Sequence, residues 1–445
     1  MKKVSSIILA MVLLLTTISG CAEKKQEDEK IILRVTYGLG ETGGEEDFDA
    51  VYGPFLETHP NCEIELVDGI DSSKLMSMIA AGNTPDILRI SGVNDIPGYV
   101  QKGILMELDE YIEKSDNINM DNWATVNQLF RYDGKQTGSG PIYGAVKDWG
   151  ADNQIWINKK LFEEAGVPLP STTEAMTFEE LAQIASQLSV IENGEVKQMG
   201  FATDTALYLL AESILQQKYQ KSVWTDDFSG TNLQDPDVVE TMRYFYDMQK
   251  SGAMASELNK ITPSTWFLEG KLAMYMGGYW IGGYMRTDTN MGITQEDVLL
   301  LPAPVVNKGD TCSYSFAATG AGISSTTEHP QEAYELWEYL HFGQMAEERT
   351  KRGFGLPADT TLNDLLPGET EFDRQTRDSA IEAGENLKID IRINPYVGAT
   401  AVSAAIDKYY IPALYDTMTL EDALRSADEE LTLLIEEGKE IVGEQ

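Results

Sequence analysis

Histidine, cysteine and basic residues are all scarce in this chain, and each shortage closes off a class of function. Among 445 residues there are 3 His and 3 Cys. His59 and His329 each precede a proline at an apparent helix boundary, and His341 ends an apolar helical pattern. None has a partner at metal-ligand spacing, so no metal is expected. Cys62 falls on the apolar phase of an alternating segment and reads as a small buried hydrophobe, with Cys312 far along the chain. This is not a disulfide scaffold. Lys and Arg number 34 against 72 Asp and Glu, a formal charge of −38. Such a field repels phosphate backbones and anionic lipid head groups, which argues against nucleic acid as a partner. A Gly-x-Ser-x-Gly elbow, a P-loop and a Cys–His pair with a third member are all missing. Asn117-x-Asn119-x-Asp121 faintly suggests a calcium loop, but Asn122 stands where glycine is needed and Gln128 where the closing glutamate belongs. No cofactor is expected, and carboxylates are too abundant for any glycosidase-like pair to stand out.

The one strong hydrophobic run lies at the start. Lys2 and Lys3 precede an apolar stretch from Ile7 to Leu15, followed by Ile18-Ser19-Gly20-Cys21. A charged start, a short apolar core and small residues before a possible cleavage point describe a secretory signal peptide over residues 1–20. The run is too short to span a bilayer as a mature helix. Ile-Ser-Gly-Cys resembles the lipobox of bacterial lipoproteins, which implies cleavage before Cys21 and a diacylglyceryl group on its sulfur. Residues 21–30 then form a lipidated cysteine and a polar tether. The expected location is the extracellular face of the cell membrane, held by the lipid.

Beyond the tether, 42% hydrophobic content with no second spanning run suits a body of about two domains. Residues 31–37 read as a strand ending in a glycine-rich loop. A helix to about residue 58, a strand over 62–67, a helix around 75–81 and a strand over 86–90 follow. Strands alternating with helices indicate βαβ units. Residues 153–158 look extended and 159–165 helical, closed by Gly166 with Pro168 beyond. Thr177 and Glu180 form a capping-box pattern. Leu420, Ala423, Leu424, Ala427, Leu431 and Leu434 share one face of a long helix.

Candidate chemistry comes from aromatics beside glycines. Gly277-Gly278-Tyr279-Trp280-Ile281-Gly282-Gly283-Tyr284 follows the strand-like residues 272–276, and Lys147-Asp148-Trp149-Gly150 follows residues 142–146. Sugars offer C–H faces that stack on rings and hydroxyls that need carboxylates or amides, so this mixture suits a carbohydrate cleft.

Six ordered segments then match one family. They are residues 75–87 (LMSMIAAGNTPDI), residues 158–167 (NKKLFEEAGV), and Phe267-Leu268-Glu269-Gly270-Lys271-Leu272-Ala273-Met274 with Gly278-Tyr279-Trp280. Leu301-Pro302-Ala303-Pro304, Gly322-Ile323-Ser324 before His329-Pro330-Gln331-Glu332-Ala333, and Gly355-Leu356-Pro357 complete the set. With these the chain resembles the family 1 extracellular solute-binding proteins, the maltose-binding-protein-like receptors of ABC importers. The resemblance implies an α/β, two-lobed periplasmic-binding-protein-like fold of type II. Each lobe would be a mostly parallel sheet flanked by helices, joined by hinge segments near residues 143–145, 315–317 and 342–346. The N-terminal lobe would comprise 31–145 plus 317–345, and the C-terminal lobe 146–316 plus 346–445.

It implies a carbohydrate, an oligosaccharide above all, held between the lobes of a non-enzymatic monomer, and ABC permease subunits as partners. It places ligand contacts at Trp280, Trp149, Asp148, Glu41, Asn94, Asp204, Tyr314 and Tyr396. Asp86 would orient a strand end. The family often has a Tyr-Asn pair before the lysine helix, where this chain has Ile157-Asn158, with Trp156 beside it. A polyamine or polyol derivative is the alternative solute and a surface glycosidase a remote one. Phosphate is disfavoured because Lys147, Arg89 and Arg352 are the only basic candidates near the site loops.

Overall fold

The computed structural model describes residues 30–36, 38–39, 47–67, 72–287 and 291–443. The leader, Cys21 and Glu41 lie outside the described residues. No helix among the described residues is long and apolar enough to cross a membrane.

Two five-stranded sheets organise the chain. The first has the order Cys62–Val67, Ile31–Thr36, Ile87–Ser91, Thr319–Ile323, Ala145–Val146. Ile31–Thr36 runs parallel to its two neighbours, with Val35 opposite both Leu66 and Ile87. Thr319–Ile323 returns from far along the chain and pairs antiparallel with Ile87–Ser91 and with Ala145–Val146. Helices Phe48–Thr58 and Pro330–Phe342 cover one face, packing Val51, Tyr52 and Phe55 together with Leu33, Leu336 and Leu340. The Tyr339 hydroxyl donates to the Val51 carbonyl at 2.7 Å and pins the two helices together.

The second sheet has the order Val298–Leu301, Ile155–Asn158, Leu272–Met276, Glu195–Thr203, Val190–Glu192. Ile155–Asn158 and Leu272–Met276 are buried on both faces, as uninterrupted apolar runs require at the centre of a helix-covered sheet. Leu272–Met276 is parallel to Glu195–Thr203 and antiparallel to Ile155–Asn158.

The fold is therefore the expected two-lobed α/β arrangement, but its sheets are mixed, not mostly parallel. The reason is the connectivity. A strand entering a lobe from the junction, such as Thr319–Ile323 or Ile155–Asn158, runs against the strands that end there.

Local signals behave as the sequence suggests. Asn158 caps helix Lys159–Ala165 by accepting from the Lys160 amide, and Gly166 closes it in the left-handed conformation. Thr177 and Glu180 form a reciprocal capping box, with 3.1 and 2.8 Å bonds, worth about 1 kcal/mol. In the terminal helix Leu420–Val442 the buried stripe continues through Ile435, leaving Leu434 partly covered. Cys62 and Cys312 are unpaired thiols, and His341 is buried.

Candidate functional site

The site begins with the segments that pass between the sheets. Tyr143 and Gly144 lead into strand Ala145–Val146, which still belongs to the first sheet, and the chain reaches the second only after residues 147–154. That stretch is zipped to the returning segment. The Lys147 amide donates to the Thr319 carbonyl at 2.9 Å and the Asp152 amide to Tyr314 at 2.8 Å. The Asn153 side-chain oxygen accepts from the Tyr314 amide at 2.9 Å. Asp152 Oδ2 gathers the Phe316 amide at 2.7 Å, the Ala317 amide at 3.2 Å and the Ser315 hydroxyl at 3.1 Å. On the other side Trp149 and Leu356 exchange backbone bonds of 3.1 and 2.7 Å. Burial pushes the Asp152 carboxyl above its usual range, against the pull of those donors.

Two cavities open on this junction. One of about 270 Å³ is lined by Arg89, Lys147, Asp148, Trp149, Tyr284 and Phe354, among others. A second of about 350 Å³ is lined by Asn94, Asp204, Thr205, Tyr208, Tyr275 and Thr400, among others. Both include Asp152, Trp280 and Ala317, so they meet at Trp280. Trp280 starts helix Trp280–Thr287 and stands edge-on to Tyr275 (centroids 6.3 Å, 87°) and to Tyr284 (5.8 Å, 83°). Tyr284 in turn is edge-on to Phe354 at 5.7 Å. Four rings thus run in one row along the cavities. Edge-to-face contact holds such rings in fixed orientation.

Of the residues singled out from the sequence, Trp280, Trp149, Asp148, Asn94 and Asp204 come together at these cavities. Asp148 pairs with the buried Lys147 at 3.3 Å. Asp204 accepts from the Tyr275 hydroxyl at 2.9 Å, and Asn94 donates to the Phe316 carbonyl at 3.2 Å. Trp149 lines the first cavity but is only 7% exposed, and its six-membered ring lies over Gly384. Tyr314 and Tyr396 are elsewhere. Tyr314 is buried in a short strand with its ring stacked on Phe316, and Tyr396 has the Lys439 ammonium over its ring at 5.1 Å. Asp86 accepts from the Arg34 amide and the Thr327 hydroxyl, tying a strand end to a loop. Trp156 is fully buried and donates its indole N–H to the Gly278 carbonyl.

Asp152, Tyr275, Tyr284 and Phe354 line the cavities without standing among the residues singled out from the sequence, as do Thr205, Tyr208 and Thr400. Tyr284 lay within the quoted glycine–aromatic run and was legible there. Asp152 and Phe354 had no local signal, because their role depends on segments distant in sequence. No cluster of three metal-ligating side chains occurs among the described residues.

Residues 42–342 match the family described as bacterial extracellular solute-binding protein. The chain belongs to that family. Among curated relatives, an arabinooligosaccharide-binding protein of Halalkalibacterium halodurans is 22% identical over 84% of this chain and 83% of its own. The polygalacturonan/rhamnogalacturonan-binding protein YtcQ of Bacillus subtilis is 23% identical over 50% of this chain and 45% of its own. Among solved structures, the ABC substrate-binding protein Lmo0181 from Listeria monocytogenes, in complex with cycloalternan, superposes with a TM-score of 0.71. It is 19% identical and covers 93% of this chain and 99% of its own. That likeness establishes the family's two-lobed fold for this chain.

Proposed function

We propose that this protein is a lipid-anchored extracellular receptor that binds an oligosaccharide between its lobes and delivers it to an ABC importer. The observation that carries the reading is the pair of cavities meeting at Trp280, with a row of rings beside carboxylates and an amide. Together they reach the size range of small-molecule sites, with room for more than one sugar ring. The names of the relatives, one binding arabinooligosaccharide and the other polygalacturonan/rhamnogalacturonan, also point to a saccharide. A neutral saccharide is favoured over an acidic one. The chain carries −38 overall, and of the two cationic side chains at the cavities Lys147 is already paired with Asp148.

We assign the lobes as residues 31–146 plus 317–345 and 147–316 plus 346–445, with residues 147–154 and 315–318 as hinge segments. A solute touching both lobes favours the closed form, which the permease would recognise. The protein acts as a monomer without catalysis, and Cys21 carries the anchor. Thermal-shift screening with arabinotriose, mannotriose, maltotriose, spermidine and mannitol tests the solute class. A rise in melting temperature with a trisaccharide supports it; a rise with spermidine or mannitol alone overturns it.

A further inference from the structure

Asp152 occupies the junction of everything the site is built from. It lies on the first segment between the sheets, grips the second through three hydrogen bonds to residues 315–317, and lines both cavities. All three of those bonds go to Oδ2. Oδ1 lies 3.1 Å from where a Cβ on Gly278 would sit, beside the loop that carries Trp280. No hydrogen bond to Oδ1 is found among the described residues. Asp152 is half-buried and lines both cavities, and a carboxylate oxygen so placed gains from a hydroxyl donor, because charge-assisted bonds are the stronger ones.

We propose that Asp152 couples solute to hinge, with Oδ2 holding residues 315–317 and Oδ1 accepting a hydroxyl of a saccharide that spans the two cavities. This rests on the carbohydrate reading above and adds the residue through which occupancy reaches the hinge. A bound hydroxyl would fix the carboxylate in the orientation that clamps 315–317, so binding and hinge geometry share one side chain. A merely structural aspartate would do the second part only.

The test is a cycle between protein and ligand. Wild type and Asp152→Asn are titrated calorimetrically with the tightest binder among arabinotriose, mannotriose and maltotriose, and with its monodeoxy analogues. In wild type, one analogue should lose about tenfold or more in affinity. In Asp152→Asn, which presents a donor or a weaker acceptor there, the parent saccharide should itself bind about tenfold more weakly and that analogue should lose nothing further. Compaction on saturation, read by small-angle scattering, should be smaller in the variant than in wild type. Equal losses for every analogue in both proteins would overturn the proposal while leaving the carbohydrate reading intact. Failure of wild type to bind any of the three sugars would overturn that reading and the proposal with it. If Asp152→Asn does not fold, Asp152→Glu, which keeps the charge and displaces the oxygens, serves in the same cycle with the same expected outcomes.

Discussion

The indole N–H of Trp156 donates to the carbonyl of Gly278 at 3.0 Å, joining the centre of the second sheet to the loop that presents Trp280. Trp156 is completely buried, and its ring also packs near Phe267 and Phe372. The loop position is therefore set from the core outward. Trp156→Phe keeps the apolar packing and removes the shorter of two donors to this carbonyl, leaving it the Ile281 amide at 3.4 Å. A loss of roughly 0.5–1.5 kcal/mol is expected, with saccharide affinity reduced a few-fold. Chemical denaturation and calorimetry check the two parts, and an unchanged affinity would separate Trp156 from the site.

Gly150 makes the second connection between hinge and loop. A Cβ there would lie 2.6 Å from the Tyr279 amide nitrogen, a backbone atom that cannot step aside alone. Gly150→Ala should push the two segments apart, costing about 1–3 kcal/mol as overpacking does, and should weaken solute binding with it. Wild-type stability in a urea melt would contradict this packing.

Glu212 gives a pH signature. It is fully buried, accepts from the Val223 amide at 2.9 Å and the Ser222 hydroxyl at 3.1 Å, and burial raises its carboxyl from 4.5 to about 7. Between those values the folded state holds a proton that the unfolded state releases, so this group's contribution to stability falls as pH rises through the window. His341 works in the opposite sense. Burial lowers its ring to about 3, so it favours the folded state increasingly as pH rises from there to about 6.5. Subtracting wild type from Glu212→Gln cancels the His341 effect. The difference in melting temperature should move in the variant's favour between about pH 4.5 and pH 7 and level off above that. A flat difference would mean that Glu212 is ionised in the folded protein.

The anchor is tested separately from the cleft. Cys21→Ala should release the protein to the medium with saccharide binding unharmed. Retention of the variant on cells would remove the lipid from the account.

What the sequence made legible is what depends on near neighbours. The Thr177–Glu180 capping box, the Gly166 helix exit and the buried strand Leu272–Met276 each follow from residues within a few positions. Trp280 was legible because the glycines around it permit a turn that brings a ring to a cavity. Trp149 was found for the same reason, yet its ring turns inward, because Gly384 leaves room for it and Leu356 holds its backbone. The family resemblance puts Tyr314 and Tyr396 among the ligand contacts, and packing against Phe316 and Lys439 keeps them away from the two cavities. Asp152 was missed because its partners are residues 315–317, and no local pattern announces a pairing across that distance.

The central claim is that a saccharide binds against Trp280 at the meeting of the two cavities. Calorimetric titration of wild type and Trp280→Ala with arabinotriose, mannotriose and maltotriose tests it most directly. At least one should bind wild type with one site per chain, and the variant should bind it about tenfold or more weakly, roughly 1.4 kcal/mol or above, with its melting temperature little changed. Equal affinity in the two proteins, or no binding of any of the three to wild type, would contradict the account.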